Sequence, residues 1–150
     1  MNKLIPFTLV FFLVLLNTLQ AQDWKYDFEE AQNIAKEKDK NIVLLFTGSD
    51  WCPPCKKLEK KVLSNPEFKK FAEQKFIMVK ADFPKRKKNK LSGYQREKNL
   101  ALAERYNKKM IFPVILVINK EGLVLGATGY RKMSVNRYIE LLTTFDSFGR

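Results

Sequence analysis

Residues 42–63 read IVLLFTGSDWCPPCKKLEKKVL, and the order of their parts decides the fold. Ile42 to Phe46 is an unbroken apolar run of strand length with β-branched entries, the pattern of a buried strand. Thr47-Gly48-Ser49-Asp50 is turn chemistry. A helix then starts near Cys52 and runs through Leu63, until Ser64-Asn65-Pro66 breaks it. The only two cysteines of the chain therefore sit where a strand ends and a helix begins. Three chemistries suit two thiols so spaced: a redox pair, half of a metal site, or an inert structural disulfide.

The neighbouring segments extend the pattern in both directions. Asp27 to Lys38 carries Phe28, Ala31, Ile34 and Ala35 at helical spacing. Glu67 to Gln74 is a helix with Phe68 and Phe71 on one face, and Phe76 to Phe83 is a second strand. Pro84 to Lys98 is polar, without helical or strand period, and is predicted to be a loop. Asn99 to Tyr106 is a short helix with Leu100, Ala103 and Tyr106 in register. Val114 to Ile118 is the strongest strand, and Asn119-Lys120-Glu121-Gly122 turns it into a hairpin with Leu123 to Ala127. Ser134 caps a closing amphipathic helix to Phe145, with Val135, Tyr138, Leu141 and Leu142 inward. Helices alternating with strands make an α/β fold, a mixed sheet with helices on both faces. A length of 150 residues allows one domain.

Residues 1–21 stand apart. One lysine at position 3 precedes an apolar run from Leu4 to Leu19, and Ala21 is a small residue suited to cleavage. This is the shape of an export signal, leaving a domain of residues 22–150 in the periplasm or outside the cell. The alternative is an uncleaved N-terminal membrane anchor, and contact with a membrane is expected only in that case. Exported proteins meet conditions in which disulfides persist, and one close pair there suggests chemistry more than a staple. The formal net charge is +12. Nucleic-acid binding is not expected, since the chain has no histidine, no zinc-finger spacing and no RNA-binding signature. The basic stretch 85–98 reads as a solvated loop, with docking to an acidic partner as the alternative. The oligomeric state is not legible.

The cysteines can then be weighed. Cys52 at a helix start meets unpaired N–H groups and the positive end of the helix dipole, which favour a thiolate, the nucleophile of disulfide exchange. Pro53 occupies the position where a helix tolerates proline best. Lys56 and Lys57 add positive potential, and Cys55 lies one turn on, able to resolve a mixed disulfide. Zinc wants four ligands, and with no other cysteine and no histidine one chain does not supply them, so no metal is expected. A structural disulfide here would close only a tight ring and constrain the unfolded chain little. The redox pair is the favoured chemistry.

The motif Trp51-Cys52-Pro53-Pro54-Cys55-Lys56 resembles the W-C-x-x-C-K of the thioredoxin superfamily. The longer run through Glu59 and Ser64-Asn65-Pro66 is similar to exported thioredoxin-like proteins related to the C-terminal domain of the transmembrane reductase DsbD. The resemblance implies a thioredoxin fold over about residues 22–150, and a cis-proline facing the cysteines. Phe112-Pro113, before the strand at Val114, matches that place. It also implies an acid six residues before the first cysteine, where this chain has Phe46 instead. Glu59 is the candidate substitute as proton acceptor for Cys55, against the plainer role of a solvated helix glutamate paired with a lysine.

On that resemblance Cys52 attacks a substrate disulfide, Cys55 resolves, and Trp51, Pro53, Pro54, Phe112 and Pro113 form the substrate-binding surface. Without a histidine to stabilise the thiolate, a reducing role is favoured over a strongly oxidising one. The expected partners are proteins carrying disulfides and a membrane thiol reductase as electron donor; no bound cofactor is expected. The alternatives are an oxidase or isomerase with the same site, or a thioredoxin-fold binding module that performs no catalysis.

Overall fold

The central strand explains the rest. In the computed structural model, which describes residues 22–149, β2 (Asn41–Thr47) is buried from Ile42 onward. It pairs in parallel with β3 (Phe76–Asp82) and antiparallel with β4 (Val114–Ile118). A strand with neighbours on both edges and helices on both faces has no side left for water, which is why its side chains do not alternate with polar ones. Val43 and Leu45 enter one core with Leu58, Phe68 and Tyr138. Ile42, Leu44 and Phe46 enter the other, with Phe28, Ala35 and Ala103. The two cores are separated by the sheet itself.

The sheet order is β1-β3-β2-β4-β5, with β1 (Trp24–Lys25) parallel to β3 and β5 (Val124–Thr128) antiparallel to β4. The two-residue β1 was not expected, because a pair of residues has no period to read. The turn between β4 and β5 places Gly122 at φ 94, a backbone state open to glycine, while Asn119 Oδ1 accepts from the N–H groups of Glu121 and Leu123. Residues 1–21, expected to be an export signal, lie outside the described residues.

The helices begin where side chains supply acceptors. Asp27 caps α1 (Phe28–Lys38) by accepting from Glu29 and Glu30, and Asn65 caps α3 (Pro66–Lys75) by accepting from Glu67 and Phe68. Ser134 caps α5 (Val135–Ser147) by accepting from the Arg137 N–H, as expected. The helix after the cysteines is α2 (Pro53–Leu58), whose last turn widens into a π-turn over Glu59–Leu63. The Ser64 N–H donates to the Glu59 carbonyl at 2.9 Å, five residues back, and this ends the helix.

One stretch differs from expectation. Only part of residues 84–98 is loop: a single 3-10 turn at Lys87–Asn89 is followed by α4 (Gly93–Tyr106), which starts six residues before Asn99. Ser92 caps it, accepting from the Gln95 N–H. Its first turns are held by polar contacts, so no apolar period betrays them. The Gln95 side chain donates to the Tyr26 carbonyl, Lys98 pairs with Asp27, and the Asn99 side chain donates to the Asp82 carbonyl. The buried face of α4 is accordingly Asn99 and Ala103, while Leu100, read in register with Ala103 and Tyr106, is exposed.

Candidate active site

The site forms where β2 ends and β4 begins. These strands run antiparallel with Phe46 opposite Val114, so the residues after Phe46 and before Val114 meet at one end of the sheet. The chain leaves β2 through a turn in which the Gly48 carbonyl accepts from the N–H groups of Trp51 and Cys52 at 3.3 and 3.0 Å. Cys52 is the cap residue of α2, its Sγ accepting from the Cys55 N–H at 3.3 Å. Pro53 and Pro54 occupy the first helical positions, where Pro53 is exposed and Pro54 half-buried.

Cys52 and Cys55 are joined as a disulfide, with Cα atoms 5.2 Å apart. Both residues are buried, at 3% exposure. The Gly48 N–H donates to Cys55 Sγ at 3.5 Å, so each sulfur faces a backbone donor. When the bond opens, such donors stabilise whichever sulfur carries the negative charge. Lys56 does not point freely at the sulfurs, since its Nζ donates to the Asp50 carbonyl at 3.1 Å. Lys57 is exposed.

Next to Cys52 in the chain, Trp51 anchors an aromatic rim. The Trp51 indole donates from Nε1 to the Phe83 carbonyl at 2.7 Å and meets the Phe112 ring edge-on at 5.6 Å. Phe112 in turn packs on Phe83 at 5.4 Å, and the Lys85 ammonium lies 3.8 Å from the centre of the Trp51 ring. The Phe112–Pro113 peptide is cis. Phe112 is half-buried and Pro113 buried, with Ile111 55% exposed beside them. The structure thus brings Trp51, Cys52, Cys55 and Phe112 to one surface.

Three residues of this surface carried no sequence signal. Phe83 supplies both a ring and a carbonyl to the rim. Asn107 holds the loop before the cis peptide through two bonds to Ile111, accepting from its N–H at 3.0 Å and donating to its carbonyl at 2.9 Å. Asp50 joins the turn to the basic stretch. Its carboxylate accepts from the Lys85 and Arg86 N–H groups, each at 3.0 Å, and from Asn89 Nδ2 at 2.9 Å. The Lys85 N–H above all, with those of Asn89 and Arg86, outweighs the effect of burial and draws the Asp50 pKa down to about 2. Nothing in the amino-acid string marks a partner 35 positions away whose donor is a backbone amide.

Phe46, at the position where the resemblance implies an acid, is fully buried. Glu59 opens instead onto a cleft of about 390 Å³ that Cys55 also lines, with Lys80 and Ser64 on its walls. Glu59 Oε2 lies 3.7 Å from Lys80 Nζ, and Oε1 accepts from the Ser64 hydroxyl at 3.1 Å. Lys80 is held over the Trp24 ring at 4.4 Å. Glu59 is therefore paired with a lysine and also faces the cleft that reaches Cys55. Among the described residues, no group of three or more His, Cys, Asp or Glu is placed to hold a metal ion.

A five-stranded sheet in this order, with a Cys-Pro-Pro-Cys helix start after β2 and a cis X-Pro before β4, is a thioredoxin fold. The profile of the thioredoxin-like family matches residues 23–120, and the chain belongs to that family. The disulfide bond reductase DsbH of Chlamydia pneumoniae is 41% identical over 103 residues, 69% of this chain and 60% of that protein. The chain thus spans less than two thirds of that relative. A solved DsbH oxidoreductase superposes with a TM-score of 0.78 at 34% identity, covering 85% of this chain and 86% of that one. The oxidised C-terminal domain of Neisseria meningitidis DsbD has a TM-score of 0.52 at 20% identity, over 82% of this chain and 92% of that one. That last likeness is one of fold.

Proposed function

We propose that the protein is a thiol–disulfide oxidoreductase of the cell envelope that reduces disulfides in other proteins. The observation that carries this is the buried Cys52–Cys55 disulfide with a backbone N–H on each sulfur, beside an apolar rim of Trp51 and Phe112. The similarity to a protein named as a disulfide bond reductase supports the direction, and so does the absence of a histidine between the cysteines. Residues 1–21 would direct export, and residues 22–150 would form the working domain.

The reaction starts from the dithiol. Cys52 thiolate attacks one sulfur of the substrate disulfide, forming a Cys52–substrate bond and releasing a substrate thiolate that takes up a proton. Cys55 gives its proton to Glu59 or to water in the shared cleft and attacks Cys52 Sγ. The mixed disulfide breaks, the second substrate thiolate leaves and is protonated, and two electrons have passed to the substrate. Trp51, Pro53, Pro54, Phe112 and Pro113 seat the substrate chain. The Cys52–Cys55 disulfide is then reduced by a membrane thiol reductase.

Cys52→Ser is expected to abolish reduction of insulin disulfides, and Cys55→Ser to accumulate a covalent adduct with its substrate that thiols release. Insulin reduction surviving Cys52→Ser would remove Cys52 from the chemistry and return the fold to a binding role. Equilibration with glutathione reads the direction. A potential on the order of −230 mV or lower supports a reductant, whereas one near about −120 mV would identify an oxidant.

A further inference from the structure

Between Lys85 and Lys98 the only acidic residue is Glu97. A free loop would let those cations spread into solvent, but this one is tied down. Asp50 fixes the backbone at Lys85 and Arg86 and the side chain of Asn89, and Ser92 caps the helix that follows. A cleft of about 310 Å³ opens between this segment and α4, with Lys85, Arg86, Lys87, Lys90 and Arg96 on its walls. Phe83, Pro84 and Leu91 supply its apolar part.

Asp82 lines the cleft, and both it and nearby Asp50 are held by donors. Asp50 is bound to backbone amides, and Asp82 accepts from the Ser49 and Phe83 N–H groups, each at 2.9 Å. Among the described residues none of the five cations has a carboxylate within 4.0 Å. Holding like charges together on an anchored frame costs free energy that an anionic ligand offsets. The cleft also continues into the rim: Phe83 packs on Phe112, and Lys85 lies on Trp51.

We propose that this cleft docks an acidic segment of the protein substrate, a run of Asp and Glu flanking the disulfide that Cys52 attacks. The inference rests on the oxidoreductase reading and adds the class of substrate. Arg86, Lys87, Lys90 and Arg96 pair with the carboxylates, and the apolar wall takes the peptide backbone and stems. A concave cleft shared with the rim suits an extended peptide. A bilayer surface would call for cations on a protruding face.

The test compares two disulfide peptides that differ only in flanking residues, glutamates in one and serines in the other. The protein is expected to prefer the glutamate peptide about tenfold in kcat/KM at low ionic strength, with the preference shrinking as salt is added. In Lys87→Gln/Lys90→Gln/Arg96→Gln the ratio between the two peptides falls to about one. Equal turnover of both peptides by the unaltered protein overturns the proposal. So does retention on phosphatidylglycerol vesicles without any peptide preference, which would assign the cations to lipid. If neither peptide is reduced, the oxidoreductase reading fails, and a fluorescent glutamate peptide with serines for its cysteines still decides docking. Its binding to the protein and not to the triple variant upholds the cleft; no binding removes it.

Discussion

Gly48 decides where Trp51 can lie. A Cβ built on Gly48 would stand 2.5 Å from the indole Cε2 and 2.6 Å from Nε1, so any side chain there displaces the ring. Gly48→Ala should cost about 1–3 kcal/mol, the usual range for overpacking a fitted site. It should also break the bond from Trp51 to the Phe83 carbonyl, shift the tryptophan emission and lower turnover with protein substrates. Gly93→Ala is the control: nothing lies within 4 Å of its Cβ, and removing glycine from a helix start should stabilise by about 0.4–1 kcal/mol. Equal effects of the two variants in urea unfolding would refute a steric role for Gly48. At this scale the sequence was informative where chemistry is carried by residue type and spacing. Cys52, Cys55 and Trp51 could be singled out so. Asp50 accepts from backbone amides 35 and 36 positions away, Phe83 receives the Trp51 indole from 32 positions away, and Asn107 ties a local loop at Ile111, contacts that no motif spacing marks.

Elements held by apolar period were legible, and elements held by polar anchors were not. β4 was found with its bounds because five apolar residues in a row leave no other solution. The first half of α4 was missed because Gln95, Lys98 and Asn99 tie it down through hydrogen bonds and an ion pair. The loop before it depends on a single carboxylate, and this dependence is testable by pH. The Asp50 pKa lies at about 2 instead of the ordinary 3.8, so its ionised form favours the fold above about pH 4. That contribution fades as pH falls from about 4 towards 2, where the unfolded carboxyl is protonated and the folded one half so. Asp50→Asn cannot accept as a charged group from Lys85, Arg86 and Asn89 together, and should melt at a lower temperature than the unaltered protein at pH 7. Most of the gap should be gone by about pH 2. Asp27, also held low by its Lys98 partner, titrates in both proteins and drops out of the difference. A gap unchanged between pH 7 and pH 2 would show that the carboxylate charge is not what fastens the loop.

The described residues form one sheet with a core on each face, and the candidate active site draws on both. Leu58 on α2 packs into the core of α3 and α5, whereas Phe46 and Phe112 at the same end of the sheet pack into the core of α1 and α4. The cysteine pair thus sits on the seam, supported from one side by its helix and from the other by its rim. Leu142→Ala in the first core should cost about 2–5 kcal/mol, and Ile42→Val in the second about 0.5–1.5 kcal/mol, both residues being fully buried. Because the two side chains lie in different cores, the double variant should lose the sum of these within about 0.5 kcal/mol in urea unfolding. A coupling above about 1 kcal/mol would mean that the faces relax together, and the sheet would then be a flexible layer inside one core. With additivity, each face can be altered alone, and the effect of either core on the cysteines can be read from insulin reduction by the two single variants.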